Sequence, residues 1–269
     1  VPGASGLLAE QLDLQELEVD EAAPGDVSAA RADAAVGDVP THIFRAYDIR
    51  GIVGDDLTAA LSRRIGRAVG SEARDCGDTR VFVARDTRPS SEELSEGLVD
   101  GLRASGCDVI DLGLAPTPLL YFATRFDGNA AGVMVTASHN PPEYNGFKVV
   151  IAGVSLEGEG IASLRRRILD GRLANGAGSY RQLDLAETYI ARVEKDVALA
   201  RAVRLVVDCG NGAASVLAGD LYRALGCEVS EIYCDPRSGF PGGRAPDPTR
   251  EECLEALRRR VVTEGADLG

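Results

Sequence analysis

The sequence predicts an α/β protein built from two consecutive domains. Its 269 residues fit about two domains on the usual scale of ~100–200 residues each. From Ile43 onwards, short apolar runs alternate with stretches whose apolar residues recur at helical spacing, a pattern typical of a sheet with helices on its faces. A content of 45% apolar and 26% charged residues is that of an ordinary globular protein.

Residues 1–40 differ from the rest of the chain. They hold nine acidic residues, one basic residue and no aromatic residue. So little apolar surface cannot offset the entropy lost on ordering, and we predict a flexible acidic extension with at most a marginal helix at 7–19. This segment carries −8 of the net charge of −13, which leaves −5 for the other 229 residues. That balance argues against a nucleic-acid surface, which requires a basic face.

The first predicted domain covers residues 41–184. Apolar residues at helical spacing follow Asp55 and Asp56 and predict a helix that reaches Val69. Ser90 and Glu93 have the spacing of a capping box, which predicts the start of a second helix. The remaining predicted elements are strands at 80–84, 107–112, 131–135 and 147–151, and helices at 118–126 and 158–169.

The second predicted domain covers residues 185–269. It begins with a helix around Tyr189 and Val193, followed by a buried strand at 203–207 and the glycine-rich turn DCGNG at 208–212. We then predict a helix at 213–225, a strand at 228–233, a loop rich in Pro and Gly at 235–248 and a helix at 249–262. Residues 266–269 have the pattern of a strand that is just beginning. Because the chain also starts at Val1 rather than Met, we expect a segment of a longer protein whose second domain is cut short.

Residues 136–148, TASHNPPEYNGFK, concentrate groups that can carry chemistry. They follow an apolar strand, so we expect Ser138 in a loop at the carboxyl end of that strand, where open α/β sheets bind ligands. The prolines at 141 and 142 prevent a helix directly after Ser138, and Asn145-Gly146 favours a tight turn into the next strand. Spacing alone leaves two alternatives equally open: a functional loop, or a surface hairpin with incidental polar residues.

This segment resembles the phosphoserine loop of the α-D-phosphohexomutases, and its flanks are similar to the bacterial phosphomannomutase/phosphoglucomutase branch. Three further motifs occur in the order of that family: FRAYDIRG at 44–51, RDTRPS at 85–90 and VDCGNG at 207–212. The resemblance covers roughly residues 43–269. It implies two mixed-sheet α/β domains and an enzyme that interconverts hexose 6-phosphate and hexose 1-phosphate. Mannose and glucose are the implied sugars, with glucosamine phosphate as an alternative.

The resemblance also implies the reaction route and the catalytic residues. Ser138 would carry the phosphoryl group and exchange it with the sugar through a bisphosphorylated intermediate. Lys148 and Arg50 would neutralise the phosphoryl charge, as phosphoryl transfer requires. His139 would transfer a proton beside the phosphoserine. Purely structural alternatives stay open for two of these, an ion pair of Arg50 with an aspartate and a loop-stabilising hydrogen bond from His139.

Substrate and metal binding are implied in the same way. Tyr47 would hydrogen-bond the sugar, with core packing as its alternative, and Asn140 would support substrate binding by orienting the loop. Mg²⁺ would bind Ser138 through its phosphate, but the family's D-G-D-G-D-R aspartate loop does not occur in these residues, and we expect it to follow Gly269. Since Mg²⁺ needs near-octahedral oxygen ligation, the isolated segment is expected not to complete the reaction.

The sequence has partial features of three other kinds of protein. A nucleotide-binding module is suggested by Gly210-x-Gly212-x-x-Ser215 with Glu231 downstream, but the third glycine is missing. A serine hydrolase would need a G-x-S-x-G elbow around Ser138, which the sequence lacks. A non-catalytic phosphosugar-binding derivative of the mutases stays open.

Composition bounds the remaining properties. The six cysteines form no C-x-x-C pair, and only two histidines are present, which argues against a zinc site. Thiols of this kind indicate a reducing, cytoplasmic environment. No apolar run approaches the ~18 residues that span a bilayer, so we expect no membrane contact from this segment. The sequence carries no signal of an oligomeric state.

Overall fold

The computed structural model of the protein describes residues 39–128, 130–237, 239–243 and 247–269. The predicted acidic extension and its marginal helix lie outside the described residues, apart from Val39 and Pro40. Val39 is buried in the first unit, at 2% exposure, and its carbonyl accepts hydrogen bonds from Arg165 at 3.1 and 3.2 Å. Val39 thus belongs to the core of the first unit.

The first unit is built on a seven-stranded mixed sheet. Its strands are, in chain order, β1 (Ile49–Ile52), β2 (Arg80–Arg85), β3 (Asp108–Leu114), β4 (Ala131–Val135), β5 (Tyr144–Ile151), β6 (Val154–Ser155) and β7 (Tyr180–Gln182). The order across the sheet is β1-β5-β4-β2-β3-β7, with β6 paired to β5. Strands β2, β3, β4 and β7 are parallel to one another, whereas β1, β5 and β6 join in antiparallel pairs. The predicted mixed-sheet α/β class is confirmed.

Helices cover both faces of this sheet. They are α1 (Ala59–Asp75), α2 (Ser91–Ala104), α3 (Thr117–Phe126) and α4 (Glu159–Leu169). Strand β2 shows how the faces divide, because side chains alternate along a strand. Val81 and Val83 belong to the core under α1, α2 and α4, whereas Phe82 and Ala84 pack with α3 on the other face. All five residues of β4 are buried, as expected for a central strand covered on both sides.

Two predicted helix starts differ in the structure. Helix α1 is capped by Thr58, whose hydroxyl accepts from the Leu61 N–H at 3.2 Å, so the aspartates at 55 and 56 lie in the preceding turn. The capping box at Ser90 is wrong. The Ser90 backbone is already helical, with φ −82° and ψ −11°, and its side chain makes no cap hydrogen bond, because a cap residue needs extended backbone to present its oxygen. Ser90 instead accepts a hydrogen bond from Asn145 at 2.8 Å.

The second unit has a smaller sheet in its described residues. Its elements are α5 (Ala186–Asp196), β8 (Arg204–Asp208), α6 (Ala218–Ala224), β9 (Glu228–Ile232) and α7 (Glu251–Glu264). Strands β8 and β9 are parallel. An isolated parallel bridge pairs Leu268 with Leu205 of β8, which agrees with a strand that begins near residue 266. The single helix predicted at 213–225 is wrong. Leu217, whose φ of −139° lies outside the helical range, separates a 3₁₀ turn (Ala213–Val216) from α6.

No helix within the described ranges has both the length and the apolar character needed to cross a membrane.

Candidate active site

The candidate site lies at the carboxyl edge of the first sheet, between β2 and β4. These strands are parallel neighbours, so the loops that follow them lie side by side. The chain runs from β2 to β3 on one side and then returns to β4 on the other. Ligands of open α/β sheets bind at such a reversal of strand order. The loop after β4, residues 136–143, is called the serine loop below.

Ser138 lies at the tip of the serine loop in a left-handed conformation. Its φ is 55°, a region that costs a non-glycine residue ~1–2 kcal/mol. The Ser138 N–H donates to Thr136 Oγ1 at 2.9 Å, and the Asn140 backbone and side-chain N–H groups donate to the Ala137 carbonyl at 3.1 and 2.7 Å. The Ser138 hydroxyl is exposed, 3.4 Å from His139 Nδ1. The loop thus presents a hydroxyl and an imidazole together at its surface.

A buried arginine holds the serine loop from behind. The Arg88 side chain is fully buried, and its five N–H groups all donate. The acceptors are Asp86 Oδ2 at 3.2 Å and the backbone carbonyls of Ser138 at 2.7 Å, Asn140 at 2.8 Å, Pro141 at 2.7 Å and Tyr144 at 2.9 Å. Burial lowers the pKa of Arg88 from its ordinary value, and the Asp86 carboxylate partly opposes this shift. Arg88 thus ties the serine loop to the interior of the first unit.

Asp86 ties the loop after β2 to the serine loop. Its carboxylate accepts from Ser91 Oγ at 2.5 Å and from Thr136 Oγ1 at 2.6 Å, in addition to Arg88. Thr136 therefore donates to Asp86 while it accepts from the Ser138 N–H. Sequence reasoning did not identify this connection, because Asp86 and Thr136 are 50 positions apart and only the neighbouring strand ends bring them together.

Two cations approach the site from the antiparallel strands β1 and β5. Arg50 Nη2 is 2.8 Å from Asp48 Oδ2, and Lys148 Nζ is 4.0 Å from the same oxygen. The proposed alternative for Arg50, an ion pair with Asp48, is thus present. Asp48 Oδ1 and Arg50 Nε are both buried and have no hydrogen-bond partner among the described residues. The cluster holds two positive charges against one negative charge and retains polar groups for a further partner.

The other two predicted site residues have different surroundings. Tyr47 is 72% exposed, so the alternative that it packs in the core is wrong. Asn140 is half-buried and bonds within its own loop, which agrees with an orienting role. Among the residues described, no group of three or more His, Cys, Asp or Glu side chains could hold a metal ion. These residues alone therefore do not fit a Mg²⁺ site.

The context needed for the nucleotide-binding alternative is missing. The turn after β8 leads into a 3₁₀ turn rather than directly into an α-helix, whereas a dinucleotide fingerprint opens a helix at that point. Glu231, the residue expected to bind a ribose, forms an ion pair with Arg223 instead.

The fold and site define an α/β protein with a serine-bearing ligand loop at the strand-order reversal of a mixed sheet. The family model for "Phosphoglucomutase/phosphomannomutase, alpha/beta/alpha domain I" matches residues 41–174, and that for domain II matches residues 187–269. The chain belongs to the phosphoglucomutase/phosphomannomutase family. The resemblance drawn from the four sequence motifs is confirmed, as is the succession of two α/β domains.

Individual relatives agree with this assignment. A phosphomannomutase/phosphoglucomutase of Pseudomonas aeruginosa is 49% identical over 86% of this chain and 50% of its own length. A phosphoglucomutase of Neisseria meningitidis is 40% identical over 86% of this chain and 50% of its own. The crystal structure of a family protein from Burkholderia thailandensis matches with a TM-score of 0.79 and 44% identity, over 85% of this chain and 52% of that one. The chain spans about half the length of the curated relatives it matches.

Proposed function

We propose that this chain is the part of a phosphohexose mutase that carries the transferable phosphoryl group on Ser138. The enzyme interconverts hexose 6-phosphate and hexose 1-phosphate, with mannose or glucose as the sugar. The observation that carries the proposal is the exposed hydroxyl of Ser138. The backbone of this residue is left-handed, and its hydroxyl lies 3.4 Å from the His139 imidazole at the carboxyl edge of the sheet. Relatives named for both mannose and glucose phosphate support the choice of sugars.

The first transfer moves the phosphoryl group from Ser138 to the free hydroxyl of a hexose monophosphate. The bond between phosphorus and Ser138 Oγ breaks, and a bond between phosphorus and the sugar oxygen forms, giving a bisphosphorylated sugar. The leaving Oγ takes up a proton, and the sugar hydroxyl loses one. His139 Nδ1 lies within 3.4 Å of Oγ, and an imidazole there can give that proton in one direction and accept it in the other. The reverse transfer, from the other sugar phosphate, restores phosphoserine.

Arg50 and Lys148 neutralise charge during this transfer. Phosphoryl transfer depends mostly on positioning and on stabilising negative charge. A guanidinium and an ammonium group that share one carboxylate leave a net positive charge for the phosphoryl oxygens. Tyr47 hydrogen-bonds the sugar, a role that its exposure supports. Asn140 aids substrate binding by fixing the serine loop, which its hydrogen bonds within that loop support.

We also infer that the complete enzyme uses Mg²⁺. Bound near the phosphoserine, the ion would supply further charge neutralisation. The phosphate on Ser138 is one oxygen ligand for it, and the residues described lack a cluster for the others, so no step above is assigned to the metal. None of the six cysteines, all within the described ranges, is joined in a disulfide, which supports a cytoplasmic location.

Phosphoryl uptake from a hexose 1,6-bisphosphate tests the proposal. The complete enzyme that contains these 269 residues is incubated with the bisphosphate and Mg²⁺, and its peptides are sequenced by mass spectrometry. We expect one phosphoryl group, located on Ser138 and absent from Ser138→Ala. Ser90→Ala is the matched control, because Ser90 lies on the adjacent loop, and it should be labelled like the wild type. Failure of the wild type to gain the group, or equal labelling of Ser138→Ala, would overturn the proposal.

A further inference from the structure

The second unit contacts the guanidinium that holds the serine loop. The chain between β9 and α7 carries Phe240, whose ring centre lies 5.4 Å from the Arg88 guanidinium carbon. All five Arg88 N–H groups lie in one plane and are used by acceptors of the first unit. The flat faces of the guanidinium are left for another contact, and the guanidinium carbon lies over the Phe240 ring. An aromatic face attracts a cation most strongly where water is excluded, and the Arg88 side chain is fully buried.

Asn211 holds the segment that carries Phe240, namely residues 233–237 and 239–243. Its N–H donates to the Tyr233 carbonyl at 2.6 Å, its side-chain amide donates to the Gly239 carbonyl at 2.7 Å, and its Oδ1 accepts from the Asp235 N–H at 3.2 Å. Asn211 is buried at 6% exposure and has a φ of 53°, a conformation that asparagine tolerates better than most residues. The asparagine of the VDCGNG motif thus fixes this segment through three hydrogen bonds.

We propose that Phe240, held in place by Asn211, is a positioning residue for the phosphoserine loop and acts through Arg88. The carbonyls of Ser138 and Asn140 bind the guanidinium that lies over the Phe240 ring. Removal of the ring exposes the guanidinium to water, which then competes for the Arg88 N–H groups. The serine loop loosens as a result, although Phe240 contacts no reacting atom. The importance of the loop for phosphoryl transfer rests on the proposed function, whereas the positioning itself does not.

Hydrogen exchange of the serine loop tests the positioning directly. The N–H groups of Ser138, Asn140 and Tyr144 are all hydrogen-bonded within the segment 136–144 and report its opening. In Phe240→Leu, which keeps an apolar side chain but removes the ring, we expect exchange in peptides covering 137–146 to rise about five-fold, with no change in α2. Phe240→Trp keeps an aromatic face and should behave like the wild type.

Two further variants complete the comparison. Asn211→Asp lacks the N–H group that binds the Gly239 carbonyl and should raise exchange of the serine loop in the same direction as Phe240→Leu. Tyr222→Leu removes a 38% exposed ring from α6 of the same unit and is the control, with no expected effect on the loop. Unchanged exchange in Phe240→Leu, or equal increases in Phe240→Leu and Phe240→Trp, would overturn the inference.

Phosphoryl uptake separates this inference from the proposed function. If the wild type takes up the group on Ser138, we expect Phe240→Leu to do so several-fold more slowly and Phe240→Trp to be restored to the wild-type rate. If the wild type takes up nothing, the proposed function fails, while the exchange data still decide the positioning role. Equal uptake rates in wild type and Phe240→Leu, with loop exchange raised, would overturn the link between positioning and transfer.

Discussion

The guanidinium of Arg88 donates a 2.7 Å hydrogen bond to the backbone carbonyl of Ser138. This bond connects a fully buried cation to the residue whose hydroxyl is exposed at the tip of the serine loop. The φ of 55° at Ser138 is unfavourable for a serine in isolation, so contacts elsewhere must stabilise it. Because Arg88 contacts the serine loop only through backbone carbonyls, the side chains at 138 and 139 stay available at the surface.

Replacement of Arg88 by lysine should destabilise the first unit strongly. An ammonium group has three donors and cannot reproduce the planar set of five, so at least two of the five acceptors lose their partner. We expect Arg88→Lys to lower the free energy of unfolding by ~3 kcal/mol, as for a broken buried charge network, measured by urea denaturation. Arg85→Lys is the matched control, since the Arg85 side chain is 28% exposed, and a change within ~0.5 kcal/mol is expected there. Equal effects of the two substitutions would contradict this account.

The Thr136 hydroxyl should contribute more to the stability of the protein than its methyl group. It donates to Asp86 at 2.6 Å and accepts from the Ser138 N–H at 2.9 Å, and Thr136 is buried at 6% exposure. Thr136→Val keeps the shape but leaves a buried acceptor and a loop donor without their partner, which costs ~1–3 kcal/mol. Thr136→Ser keeps both bonds and should be nearer to the wild type in thermal and urea unfolding. A serine variant as unstable as the valine variant would indicate packing rather than hydrogen bonding.

Gly146 should be required because β1 passes directly against it. A Cβ built at this position lies 2.2 Å from the Ile49 carbonyl oxygen and 3.1 Å from Arg50 Cα, backbone atoms that cannot move aside cheaply. Gly146→Ala is therefore expected to separate β1 from β5 and to destabilise the protein by ~2 kcal/mol, in the range of overpacked cores. It should also displace Arg50 from the candidate site.

The control for this prediction is a glycine whose nearest neighbour is a flexible side chain. A Cβ at Gly160, in α4, would lie 3.2 Å from the end of the Leu156 side chain, which can move aside, so Gly160→Ala should change the free energy of unfolding by no more than ~1 kcal/mol. Both variants are compared by urea denaturation, and Gly146→Ala is also tested for phosphoryl uptake on Ser138. A stable Gly146→Ala protein with wild-type uptake would show that β1 tolerates displacement.

The parts of the fold that sequence predicted well are those with a repeating pattern. The strands around 80–85 and 131–135 and the helices around 91–104 and 159–169 appear in the structure close to their predicted bounds, because burial on a strand or helix face imposes a spacing on apolar residues. The edge strands β1 and β7 were missed. They have four and three residues, too few for alternation to be visible, and they form only because a neighbouring strand offers free backbone groups.

In the candidate site, too, the residues that share a local motif could be predicted from the sequence, whereas the long-range contacts could not. Ser138, His139 and Lys148 lie in one short motif, so sequence could identify them together. The contacts that hold these residues in place involve partners far away in the sequence. Arg88 and the Ser138 carbonyl are 50 positions apart, and Phe240 reaches Arg88 from another domain. No local pattern specifies such contacts, since they depend on strand order and on how the two units meet.

The alkaline stability of the protein should depend on Tyr180. Its hydroxyl donates to Asp111 Oδ2 at 2.9 Å, and burial, followed by the Asp111 charge, raises the pKa of Tyr180 from 10.0 to about 12. In the unfolded chain the phenol ionises near its ordinary value, so between pH 10 and 12 the folded state binds more protons and the free energy of unfolding falls with rising pH. The contribution of this group is fully present below pH 10 and is lost as the pH rises through the folded pKa.

Tyr180→Phe should remove this dependence. At pH 8 the variant lacks the hydrogen bond to a carboxylate and should be less stable than the wild type by ~1–2 kcal/mol. Above pH 10 the wild-type stability falls, whereas the variant lacks this titrating group, so the two urea-denaturation curves should converge towards pH 12. Parallel curves over this pH range would mean that Tyr180 ionises alike in the folded and unfolded states, and that its bond to Asp111 does not tie β7 to β3.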